Sequence, residues 1–149
     1  MIVTAQQHEL KEWLCERIGL VATPALMCIG RENSEGRLMG VVGFDGYNGA
    51  SFQMHSAGEG NWVSRDMLYA CFHYPFVACD VSMLIGLVPS GNVHAAKFNA
   101  KLGFRTEYIL QEAHPDGALL VMTMLRKDCR FLRKHHGQEI GTTSSARLH

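Results

Sequence analysis

Residues 81–104, VSMLIGLVPSGNVHAAKFNAKLGF, carry the densest run of local structural signals in the chain. The first eight are aliphatic and β-branched, a run too short for a buried helix, and they predict a buried strand. Pro89, Ser90 and Gly91 end it, since proline removes a donor and glycine reaches backbone angles closed to other residues. Asn92 is a natural N-cap, its side-chain oxygen able to accept from a free amide of the first turn. The spacing predicts a helix over residues 93–102, with Lys101 in its last turn, Gly103 as its stop and Phe104 opening another strand.

The flanking sequence supplies the partners such a unit needs. Thr4 and Gln7 match a capping box. Leu10, Trp13, Leu14 and Ile18 then recur at helical spacing until Gly19, predicting an amphipathic helix laid on a sheet. Residues 25–29 read as a strand, 31–36 as a turn, 37–44 as a strand covered on both faces, and 50–56 as a third strand after the Asp45-Gly46 and Asn48-Gly49 turns. A helix is expected over residues 62–74, ending or kinking at Tyr74 because Pro75 follows. Residues 105–112 and 118–125 read as a hairpin around His114-Pro115-Asp116-Gly117. The expected organisation is one domain over residues 1–132 and a polar, mobile tail over residues 133–149.

Composition narrows the function classes. Fourteen Lys and Arg balance fourteen Asp and Glu, whereas a nucleic-acid binder carries a basic excess, so no nucleic-acid partner is expected. No apolar run approaches the roughly 20 residues that span a bilayer, and no secretory signal opens the chain, so a cytoplasmic location without membrane contact is expected. The five cysteines contain no CxxC pair and the eight histidines no HExxH, which predicts reduced, mostly buried thiols and no metal site. Nor is there a GxxxxGKS or a full GxGxxG to support a nucleotide-binding α/β reading.

Asn92 and Ala95 followed by Gly103 and Phe104, on a strand–loop–helix–strand unit, make the chain resemble the GNAT superfamily of acetyl-CoA-dependent N-acetyltransferases. The likeness covers about residues 1–132 and implies an α/β (α+β) fold with a mixed, mostly antiparallel central sheet flanked by helices. One of the family's two usual early helices is missing or merged. Within the superfamily the chain looks most similar to the ribosomal-protein N-terminal acetyltransferase branch of bacterial and phage proteins. Gly60-Asn61-Trp62 with Arg65, the 92–104 run and the end MLRKDCRF carry that likeness.

The resemblance implies coenzyme A as the acyl carrier and a small-molecule or peptide amine as acceptor, and it allows a homodimer. Residues 55–60, HSAGEG, lie where a nest of backbone amides for the pyrophosphate would form. His55, Gly58 and Gly60 fall on the family's phosphate loop, with His in the first place as a departure. Asn61 and Arg65 follow as further cofactor contacts. Asn92 would also hydrogen-bond the pantetheine arm, and Phe98 would pack on cofactor or core. A backbone amide near Met54 or His55 would stabilise the oxyanion where two strands splay, between residues 50–56 and 82–88.

Catalysis requires a base for the incoming ammonium and an acid for the leaving thiolate. No carboxylate occurs between residues 50 and 56, so His55 and the preceding Asp45 are the catalytic candidates; imidazole changes charge near neutral pH. Many family members place a tyrosine acid where this chain has Asn99. Either another residue acts, Tyr108 being the candidate, or coenzyme A leaves as thiolate. A non-catalytic acyl-CoA-binding or protein-interaction module of the same fold is the alternative reading.

Overall fold

The computed structural model describes residues 1–133, and the tail expected over residues 133–149 lies, apart from its first residue, outside the described residues. A seven-stranded sheet runs through the molecule in the order β1-β2-β3-β4-β5-β7-β6. Its strands are β1 (Ile2–Val3), β2 (Met27–Glu32), β3 (Leu38–Asp45), β4 (Ser51–Gly58), β5 (Met83–Pro89), β6 (Arg105–His114) and β7 (Gly117–Leu125). Every neighbouring pair is antiparallel except β4 and β5.

One face of the sheet carries α1 (Gln7–Ile18). Its buried Leu10 and Leu14 pack with Leu26, Cys28 and Val41, so period-3.6 leucines meet one set of alternating strand positions. The other face carries α2 (Arg65–His73) and α3 (Val93–Leu102). There Val42, Phe44, Phe52, Met67, Phe72, Phe76, Leu84 and Met124 form the larger core. A short α4 (Arg130–Arg133) closes the described chain. Among the described residues no helix is long and apolar enough to cross a membrane.

The 81–104 unit folds as its sequence predicts, with β5 starting two residues later. Asn92 Oδ1 accepts from Ala95 N at 3.1 Å, and Gly103 ends α3 in the left-handed region at φ +116°. Gly19 closes α1 in the same way, at φ +68°. Phe104 is buried just ahead of β6. The β6–β7 hairpin turns through Pro115 and Asp116.

Elsewhere long-range contacts override local signals. The Thr4/Gln7 capping box does not form. Gln7 spends its amide on the β2 backbone instead, donating to Cys28 O at 2.8 Å and accepting from Cys28 N at 2.9 Å. The strand expected at 25–29 runs from Met27 to Glu32. The turn is therefore shorter than 31–36: Asn33 Oδ1 accepts from the amides of Glu35 and Arg37, an Asx turn. Ile18 is exposed rather than buried. The second helix, by contrast, ends at His73 with Tyr74 as its C-cap, as Pro75 predicts. Residues Tyr74–Ala78 then widen into a π turn, with Cys79 N bonded to Tyr74 O at 2.9 Å, an arrangement that accommodates the lost proline donor.

Candidate active site

The one parallel ladder in the sheet is short. Ser51, Phe52 and Gln53 pair with Met83, Leu84 and Ile85, and there the pairing ends. Beyond it β4 stays with β3 through Met54↔Phe44 and His55↔Gly43, while β5 stays with β7 to Pro89. The two strands therefore diverge in a V. The opening is part of a cleft of about 570 Å³ whose lining includes Met54, His55 and Ser56 on one arm and Gly86, Leu87 and Val88 on the other, a volume suited to a small-molecule ligand.

Strand geometry equips that V with a donor. Successive amides of a strand point to opposite sides, so of Met54 and His55 one directs its N–H to β3 and the other into the gap. This is the region in which the resemblance places the oxyanion donor.

The cleft passes through the sheet. Gly43 faces Leu14, Leu26 and Cys28 beneath α1; its cross-strand partner His55 and its i+2 neighbour Asp45 share that face. The end of α1 completes this mouth with Arg17, Ile18, Gly19 and Leu20. The opposite mouth lies among α2 and α3, where Asn92, Phe98 and Asn99 line the wall.

The two catalytic candidates meet. His55 Nε2 lies 2.8 Å from Asp45 Oδ1, with side chains only 18% and 19% exposed. An ionised carboxylate can only accept, so Nε2 carries the proton and Nδ1 is the basic nitrogen of the neutral ring. Cys71 also lines the cleft, but burial pushes its thiol well above the usual range, which removes the thiolate a nucleophilic cysteine needs. All five cysteines are free thiols, three of them buried. Among the described residues no group of three His, Cys, Asp or Glu is placed to hold a metal ion.

The expected cofactor set divides. Met54, His55, Asn92 and Phe98 line the cleft; Gly58, Gly60, Asn61 and Arg65 do not. The phosphate loop is also shorter than 55–60, because β4 continues to Gly58, which pairs with Gly40. The cause is Trp62, whose indole lies flat on this glycine pair. A Cβ would fall 2.2 Å from its Cδ1 at Gly58 and 2.4 Å from its Cε3 at Gly40. The same ring approaches Phe98 at 6.0 Å, tying the β3–β4 hairpin to α3. Gly60 keeps the left-handed conformation at φ +58°, and Arg65 opens α2 behind the Ser64 cap. The Asn61 carbonyl accepts from the Arg31 guanidinium. Glu59 is drawn off to the surface between Arg17 at 3.3 Å and Arg37 at 2.8 Å.

Tyr108 is corrected as an acid candidate: it is 69% exposed on β6, and none of the chain's four tyrosines lines the cleft. Asn99 does line it, beside Gly86.

A mixed sheet splayed between its fourth and fifth strands, with a capped helix after the fifth, is the fold of the GNAT acetyltransferases. Solved structures of the spermidine N-acetyltransferase SpeG from Vibrio cholerae share it. One structure, of glutamate-to-glutamine mutant forms of SpeG, superposes with a TM-score of 0.73 at 14% identity, covering 91% of this chain and 99% of that one. The complex with CoA and spermine gives 0.69 at 15% identity, over 89% and 97%, and a dodecameric form 0.70 at 14%, over 91% and 98%. By sequence, no family model and no curated protein matches the chain.

Proposed function

We propose that this chain is an acetyl-CoA-dependent N-acetyltransferase, a single catalytic domain over residues 1–132 that moves the acetyl group to a primary amine, either a small amine or a peptide N-terminus. The observation that carries the proposal is the three-residue β4–β5 ladder opening directly onto His55, with Asn92 on the facing wall. The SpeG structure holding CoA supports it. The likeness of Gly60-Asn61-Trp62 and Arg65 to the ribosomal-protein branch supports the peptide acceptor.

Acetyl-CoA is the donor substrate, and the residues present suit it. Asn92 has its Oδ1 committed to the helix cap, leaving its Nδ2 donors for the pantetheine amides. Met54 and Phe98 give apolar walls. Ser64 caps only one amide of the α2 N-terminus, where anions are favoured, and Arg65 and Gly60 stand at that end. The neutral amine attacks the thioester carbon while its proton passes to His55 Nδ1. Asp45 fixes the ring and stabilises the cation that forms. The carbon–sulfur bond then breaks, and coenzyme A leaves as thiolate to be protonated by water.

Thermal unfolding tests the donor. Acetyl-CoA at 100 times its Kd stabilises by about 2.7 kcal/mol, so Tm is expected to rise by roughly 5–10 °C at this chain length. No shift at millimolar acetyl-CoA sinks the proposal. One observation favours a second reading, an acyl-CoA-binding module without turnover: no tyrosine lines the cleft, and Asn99 stands where the acid would be. That reading expects the same Tm rise with no transfer to any amine.

The proposed assembly is a homodimer joined along β6, the edge strand, where Tyr108, Ile109 and Leu110 are exposed. A second copy paired antiparallel about Tyr108 and Ile109 sets Arg105 against Glu112 of its partner, a favourable cross-strand charge pair. Sedimentation should give twice the chain mass, and Ile109→Lys should return it to the monomer.

A further inference from the structure

The proposed acetyl transfer leaves the acceptor's class open, and the charge around the cleft narrows it. Among the described residues lining the cleft, Arg17, His55 and His114 can carry positive charge, and none is a carboxylate. Of the acids near it, Asp116 lies 3.9 Å from His114 on the exposed β6–β7 turn, beside Asn92 and away from the α1 mouth, and the two on the α1 side are already committed. Asp45 holds the His55 ring, and Glu59 has one oxygen on Arg17 and the other on Arg37. A polyamine acceptor presents a second ammonium at a fixed spacing from the reacting amine. In a half-buried cleft that charge needs an anionic partner, which this lining does not offer.

Arg17 is held in place for the opposite task. Its guanidinium stacks 3.6 Å from the centre of the Trp13 ring, Nη1 donates to Trp13 O at 3.0 Å, and Nη2 donates to Glu59 at 3.3 Å. Those bonds use two of its five N–H groups. Three remain to donate alongside the Glu59 contact, and guanidinium donors of this kind take a carboxylate. Arg17 and His55 both line the cleft, and α1 lies on the sheet face that His55 shares with Gly43.

We propose that the acceptor is a small amine carrying its own carboxylate, an amino-acid-like compound whose carboxylate is bound by Arg17 while its amine gives up its proton at His55. This rests on the acetyltransferase reading, and the experiment separates the two. Acetyl-CoA binding is first measured calorimetrically; its absence overturns the acetyltransferase reading and this proposal with it. With binding established, coenzyme A release is followed with a panel of free amino acids and with spermidine.

Turnover of amino acids over spermidine is expected, with Arg17→Gln raising KM for the amino acid roughly 10- to 100-fold at little change in kcat, since charge-assisted hydrogen bonds carry that much. Arg17→Lys should recover part of the loss, and it is the rise in KM without a fall in kcat that a merely structural Arg17 would not produce. Preference for spermidine, an unchanged KM in Arg17→Gln, or acetyl-CoA binding without turnover of any amino acid each overturns the Arg17 assignment while leaving donor binding intact.

Discussion

Replacing His55 by glutamine is expected to lower kcat roughly 10²- to 10⁴-fold, the range supplied by a positioned general base, while leaving acetyl-CoA binding within a few-fold of wild type. Glutamine is the informative substitution because its amide can still donate to Asp45, so the half-buried carboxylate keeps a partner across the β3–β4 hairpin. Packing is then largely preserved and the change isolates the basic nitrogen. Asp45→Asn should act in the same direction by a smaller factor: the amide can donate to Nε2 and move the ring proton onto Nδ1, taking the base out of service in a fraction of molecules. The acidic limb of the kcat/KM profile reports the base of the free enzyme, and it should vanish in His55→Gln. A rate within twofold of wild type, with that limb intact, would assign the proton to water and reduce His55 to a wall of the cleft.

The Asp45–His55 pair also shows what a sequence can and cannot announce. Both residues stand out in the sequence because no other titratable group lies near the expected splay, but nothing local says that they touch. Their contact depends on Gly43 standing opposite His55, a register set when the whole hairpin settles on α1. Asn92 and Gly103, by contrast, act within one helix, and there the reading from sequence agrees with the structure residue by residue. Gly58 falls between these cases. Its pairing with Gly40 under Trp62 joins three segments remote in sequence, so the residue reads locally as part of a flexible phosphate loop. A bulky indole four residues after one glycine, with a second glycine eighteen residues before that one, is the available signal, but it identifies the site only once the strands are aligned. The same limit hides β1: two residues form a strand only because Arg31 and Gly30 are there to pair with them. Arg17 escapes a sequence reading for a related reason. Its charge reads as solvated helix surface until the end of α1 is brought to the cleft.

Phe72→Ala is expected to cost about 3–5 kcal/mol of folding stability, a large share of the roughly 5–15 kcal/mol that holds a domain together. The Phe72 ring is fully buried and lies nearly parallel to Phe131 at 5.0 Å and Phe76 at 6.5 Å. It thus links α2 both to the π turn after it and to the short C-terminal helix. Phe76 and Phe131 cannot move into the space without breaking those stacks, which restricts the relaxation that softens such losses elsewhere. Urea unfolding should show a lower midpoint at unchanged slope. Phe72 also lines the cleft, so the void left by alanine would open into the proposed donor site, and acetyl-CoA should stabilise Phe72→Ala less than it stabilises wild type. Equal stabilisation of the two would mean that the cavity is sealed from the cleft and that Phe72 serves the core alone. A loss below about 1 kcal/mol, far under the range for a buried aromatic, would mean that α2 and the C-terminal helix unfold separately from the sheet.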